Sequence, residues 1–122
     1  MRFGTPVAAV LAMAFLAGFA SAAETFPSRP LRIVVGFTPG TTTDITARLL
    51  AERLTERLGQ TVLVDNRPGA NSGLANQLVE RATPDGHTLL MGTLSLVTGP
   101  MLYRELPFDP KAVVPVSLHF KM

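Results

Sequence analysis

The stretch LRIVVGFTPGTTTDITARLLAERLTERLG, residues 31–59, decides the fold. Its first part, Leu31 to Phe37, is rich in β-branched residues and almost continuously apolar after Arg32, which is the pattern of a strand buried on both faces. Thr38-Pro39-Gly40-Thr41-Thr42-Thr43 is a turn. From about Asp44 the residues Ile45, Leu49, Leu50, Leu54 and Leu58 recur at three- and four-residue spacing, with Arg48, Glu52, Arg53, Glu56 and Arg57 on the other face. A threonine together with Asp44 caps the start of this helix and Gly59 stops it. Strand, short turn and amphipathic helix in that order are the first half of a βαβ unit.

Going outward, the cycle repeats. Thr61 to Asp65 reads as a short buried strand, Asn66 to Gly73 as a loop, and Leu74 to Arg81 as a helix; Pro84-Asp85-Gly86 is a turn before a third strand, His87 to Gly92. Thr93-Leu94-Ser95 leads into a short helix toward Tyr103. A loop containing Pro107, Asp109 and Pro110 precedes a last apolar segment, Val113 to Leu118, which Pro115 makes an edge or crossover strand. Alternation of strand and helix predicts an α/β fold with a parallel sheet and helices on its faces. Upstream, Phe26-Pro27-Ser28-Arg29-Pro30 enters the first strand as an extended segment.

The remaining N-terminal residues read differently. Arg2 gives a short positive region, Val7 to Phe19 an uncharged apolar run, and Ala20-Ser21-Ala22 an A-x-A site, so residues 1–22 are expected to be a secretory signal peptide and residues 23–122 the folded part. The apolar run is shorter than the roughly 18 residues that a membrane span needs, with an uncleaved anchor as the alternative reading. Export would make the protein extracytoplasmic, and the absence of cysteine in its 122 residues rules out a disulfide scaffold. A net charge of +2, with no basic block, argues against a nucleic-acid partner.

In an open parallel sheet ligands bind beyond the carboxyl ends of the strands, so the informative loops are Thr38–Thr43, Asn66–Ser72 and Thr93–Ser95. All are rich in Gly, Thr, Ser and Asn, which leave backbone N–H groups accessible. The first two deliver those groups at helix N-termini, where the dipole favours an anion, most simply a carboxylate. Threonines before a helix also serve simply as caps. Asp44 has two readings, a first-turn carboxylate stabilising the helix dipole or a group that meets a ligand amine or an ordered water. Arg67 could pair with a ligand carboxylate or clamp neighbouring carbonyls. His87 and His119 lack acidic or cysteine neighbours in a metal or triad arrangement and read as structural. The first loop fits neither the dinucleotide-binding fingerprint nor the P-loop, and no nucleophile elbow or zinc-protease motif occurs. Neither catalysis nor a cofactor is expected.

Four markers at fixed spacing carry a resemblance: Pro27-Ser28-Arg29-Pro30, Pro39-Gly40 through Asp44, Asn66-Arg67-Pro68-Gly69-Ala70, and Pro84-Asp85-Gly86. With them, the sequence from Phe26 to Leu118 resembles the amino-terminal part of the tripartite tricarboxylate transporter receptor family, the Bug-type periplasmic solute-binding proteins. The resemblance implies one lobe of a two-lobed fold that closes on a small carboxylate-bearing solute. It also implies delivery of that solute to a large and a small membrane subunit of a secondary transporter. Carried onto this sequence, the ligand-binding positions are Phe37, Thr38, Gly40 and Asp44 in the first loop, Gly69, Ala70 and Asn71 in the second, and Thr93 in the third. Family members usually carry glycine where Thr41, Asn71 and Ser72 stand, and are longer, continuing into a second lobe. The chain therefore reads as an incomplete amino-terminal lobe of a receptor, with a truncated product without activity as the alternative. A small α/β enzyme using a phosphate-bearing cofactor is a third reading, motivated only by the first Gly/Thr loop.

Overall fold

A computed structural model describes residues 25–117; the expected signal peptide and His119 lie outside the described residues. The elements are β1 (Leu31–Val35), α1 (Thr42–Leu58), β2 (Val62–Asn66), α2 (Gly73–Glu80), β3 (Thr88–Met91) and α3 (Ser95–Leu102), followed by one 3-10 turn at Pro110–Ala112. The strands form a three-stranded parallel sheet in the order β2-β1-β3, as strand–helix alternation predicts.

Register explains why the first strand is so apolar. As the central strand, β1 sets Ile33 beside Val64 on one side and Leu89 on the other. Leu31, Ile33 and Val35 point to one face and form the core with Ala47 and Ala51 of α1 and Val62 of β2. Val34 alternates to the opposite face and is also fully buried, on the sheet against which α2 packs through β1 and β3. A strand covered on both faces leaves little room for polar residues, and in β1 the one exception, Arg32 near its start, is half-exposed.

Helix α1 begins and ends where expected. Thr41 is its N-cap, with its hydroxyl accepting from the Asp44 N–H at 3.4 Å, and Gly59 closes it in the left-handed conformation at φ 64°. The buried stripe differs from the expected leucine face. Ala47 and Ala51 are buried, flanked by partly buried Leu50 and Leu54, whereas Ile45 and Leu49 are 52% and 60% exposed. Small side chains let the helix axis approach the sheet, and the stripe 47, 50, 51, 54 excludes positions 45 and 49 from the same face.

The expected strand from Val113 is not formed. Residues 113–117 take no regular structure, Val114 and Val116 are exposed, and Leu118 lies outside the described residues. Pro115 cannot donate to a ladder, and no described strand pairs with the segment.

Candidate functional site

The three loops predicted to carry chemistry leave the carboxyl ends of β1, β2 and β3, which a parallel sheet sets at one end. The first two are tied together. Arg67 N–H donates to Val35 O at 2.7 Å, extending the β1–β2 ladder into the second loop. Ser72 sits directly against Gly36, so closely that a Cβ on Gly36 would lie 2.8 Å from Ser72 Cα. Only glycine at position 36 lets the loops approach this far.

Asp44 is the centre of the first loop. The residue is 2% exposed, and each of its carboxylate oxygens is engaged. Oδ2 accepts from Gly40 N–H at 2.9 Å and from Arg48 Nε at 3.0 Å, while Oδ1 accepts from Asn66 Nδ2 at 2.9 Å. The Arg48 hydrogen bond, followed by those from Gly40 and Asn66, holds the carboxyl well below the usual carboxylate range and outweighs its desolvation. The same pairing raises Arg48 above its ordinary value. Asp44 is thus ionised at any physiological pH and spends its charge inside the loop.

The second loop takes an unusual path. Gly69 has φ 133°, and Ala70, Asn71 and Ser72 follow at 48°, 51° and 67°, all in the left-handed region. Glycine-like backbone is therefore retained at Asn71 and Ser72 although the residues are not glycine. Thr41, also a position where glycine was expected, has φ −74° and needs none. In the third loop Thr93 Oγ1 and Ser95 Oγ share a hydrogen bond of 2.8 Å.

Of the residues singled out from sequence, Thr38, Gly40, Gly69, Ala70 and Asn71 are exposed, Phe37 and Thr93 are half-buried, and Asp44 is buried. Phe37 packs on the core and its carbonyl accepts from Asn66 Nδ2 at 3.0 Å. Gly40 has given its N–H to Asp44. Among the described residues, no hydrogen bond uses the N–H of Thr38, Ala70 or Asn71. Arg67 neither clamps a carbonyl nor stands free: its Nε donates to Asp65 Oδ1 and Oδ2 at 2.9 and 3.1 Å. His87 is buried against Phe26, with ring centroids 5.0 Å apart, and has one acidic neighbour, Asp85 Oδ1 at 3.3 Å from Nδ1. It precedes β3 and so lies at the opposite end of the sheet from the loops.

Sequence reasoning missed Asn66, Arg48, Gly36 and Ser72. The Asp44–Arg48 pair has a visible i,i+4 spacing. The other contacts join positions 18 to 36 residues apart and follow only from the strand register.

Comparison with known proteins bears directly on this geometry. Residues 46–118 match the family model described as the tripartite tricarboxylate transporter family receptor. The chain belongs to that family. It is 49% identical over 100 residues to a UPF0065 protein of Bordetella bronchiseptica, covering 80% of this chain and 30% of the relative. Among solved structures it is similar to the periplasmic binding protein BugD (40% identity, TM-score 0.66, 70% of this chain and 28% of that one). It is equally similar to an R. palustris protein solved with adipate (40% identity, TM-score 0.68, 70% and 29%). The family is one of periplasmic solute-binding receptors, and the chain spans about 30% of the length of the relatives it matches.

Proposed function

We propose that this chain forms one wall of a cleft that binds a small carboxylate-bearing solute in the periplasm, reached through the signal peptide read at residues 1–22. From there the solute would pass to the large and small membrane subunits of a tripartite secondary transporter. The observation that carries the reading is the set of uncommitted backbone N–H groups of Thr38, Ala70 and Asn71, on adjoining loops that run into helix N-termini. Such groups stabilise an anion through hydrogen bonds and the helix dipole without an ionised side chain. The family match and the adipate found in a structural neighbour support the same ligand chemistry.

In this reading Thr38, Ala70 and Asn71 donate to the carboxylate. Phe37, Gly40 and Gly69 shape the backbone around it, and Thr93 presents a hydroxyl from the third loop. Asp44 holds Gly40 in place. The test is titration of the 15N-labelled chain with adipate: amide resonances of residues 38–43 and 69–72 should shift saturably, and those of Phe26 and His87 should not. Uniform or absent shifts up to solubility would overturn the assignment.

A further inference from the structure

Asn66 ends β2 in register with Val35, so its side chain stands where the first loop leaves the sheet. Both hydrogen-bonding functions of its carboxamide cross to that loop and the helix behind it. Nδ2 donates to Phe37 O at 3.0 Å and to Asp44 Oδ1 at 2.9 Å, and Oδ1 accepts from Arg48 Nη2 at 3.1 Å. Asp44 in turn holds the Gly40 N–H. A relay therefore runs from the end of β2, through two side chains, to the backbone of the loop between β1 and α1.

We propose that Asn66 is a positioning residue of the candidate site, whose carboxamide sets the first loop against the second so that the amides of both reach one carboxylate. The inference rests on the carboxylate-binding reading. Its chemistry requires an amide. A donor is needed toward Phe37 O and Asp44, and an acceptor toward Arg48, and of the side chains this size only a carboxamide supplies both at every pH. Alanine would leave the Phe37 carbonyl and Asp44 Oδ1 without this donor. Aspartate keeps the shape but has one hydrogen to donate instead of two, and only while protonated.

The charged groups that the Asn66 side chain touches are Asp44 and Arg48; Asp65 and Arg67 beside it pair with each other. In Asn66→Asp the new carboxyl faces the ionised Asp44, a like charge that favours keeping one proton between the two, while Arg48 at its other oxygen favours the ionised form and opposes that effect. Followed by NMR without ligand, the Gly40 amide resonance should be flat across neutral pH in the wild type. In Asn66→Asp it should be wild-type-like in acid and move away as the shared proton is lost. Adipate affinity of the variant should fall roughly tenfold over the same rise in pH, about the effect of losing one hydrogen bond to a charged group, while wild-type affinity stays level.

A purely structural asparagine would change stability without coupling the Gly40 resonance or adipate affinity to pH. If adipate shifts the wild-type loops while Gly40 and affinity in Asn66→Asp stay pH-independent, the assignment of Asn66 is overturned and the binding reading survives. If adipate shifts no wild-type loop resonance, the binding reading itself fails. Should the variant not fold, the wild type decides: the Asn66 side-chain amide protons must exchange much more slowly than those of exposed Asn71, and equal rates overturn the proposal.

Discussion

Replacing Gly36 by alanine tests whether the contact between the first two loops is as tight as the structure shows. The added Cβ would run into Ser72 Cβ and Oγ and stand 2.8 Å from Ser72 Cα, where ordinary contact begins at 3.4 Å. Ser72 must therefore retreat by at least 0.6 Å. It is not free to do so, because its carbonyl accepts the first α2 hydrogen bond, from Asn76 at 3.0 Å, and its hydroxyl reaches Gly36 O at 3.4 Å. Gly36 has no positive φ, so alanine adds no backbone strain and the penalty is steric. Overpacking of this kind costs about 1–3 kcal/mol, which for a domain of this size lowers Tm by about 4–8 °C per kcal/mol. The assay is thermal unfolding by circular dichroism beside an adipate titration. Ser72→Gly in the Gly36→Ala background removes two of the three clashing atoms and should restore most of the lost Tm, a coupling visible in the double-mutant cycle. Equal Tm for Gly36→Ala and wild type, or additive effects in the double variant, would refute the argument.

Further predictions follow from the same geometry. Thr41→Ala should destabilise by about 0.5–1 kcal/mol, the low end for an N-cap because the bond to Asp44 N–H is long at 3.4 Å; chemical denaturation measures it. Ala70→Gly should stabilise by roughly 0.5–1 kcal/mol in the same assay, because glycine relieves the left-handed backbone of φ 48° at a smaller entropic cost. The Asp85 carboxyl is lowered to about 2, first by the His87 N–H and then by Arg29. A depressed folded pKa stabilises above the unfolded value, about 3.9, and that contribution disappears as pH falls toward 2. The stability difference between wild type and Asp85→Asn should accordingly shrink across that window and stay constant above it.

How much of this was legible in the sequence depended on whether a residue's role was local. β1 was readable because a central strand buried on both faces is apolar at every step after Arg32, and α1 was delimited by Thr41 and Gly59, whose capping roles are decided within a few residues. The buried face of α1 was not, because leucines outweigh alanines in any hydrophobic pattern while close packing on a sheet favours Ala47 and Ala51. Val113–Val116 has strand composition, but a strand exists only with a partner. Asn66 was legible as a loop residue only. Its contacts at positions 37, 44 and 48 arise when the parallel register brings the end of β2 beside the end of β1.

The pairing of charges around the loops has a consequence for how a carboxylate would be recognised. Arg48 is bound to Asp44 at 3.0 Å, and Arg67 to Asp65 at 2.9 Å, with Arg32 3.4 Å from the same carboxylate. Arg48 and Arg67, the arginines nearest the loops, are therefore each paired with a carboxylate, although Asp65 is shared with Arg32 and one net positive charge remains among the three. The short-range attraction for an anion comes from backbone dipoles. Dipoles act over a few ångströms and are little affected by mobile ions, whereas an exposed cation is screened over a Debye length of about 10 Å at 0.1 M salt. Adipate affinity of the wild-type chain should then change by less than about twofold between about 0.05 and 0.3 M sodium chloride. Calorimetry or NMR titration at the two ionic strengths measures it. A steep loss of affinity with salt would mean that a guanidinium leaves its carboxylate to meet the ligand. In that case Arg67→Gln or Arg48→Gln would abolish the salt dependence and identify which pair opens.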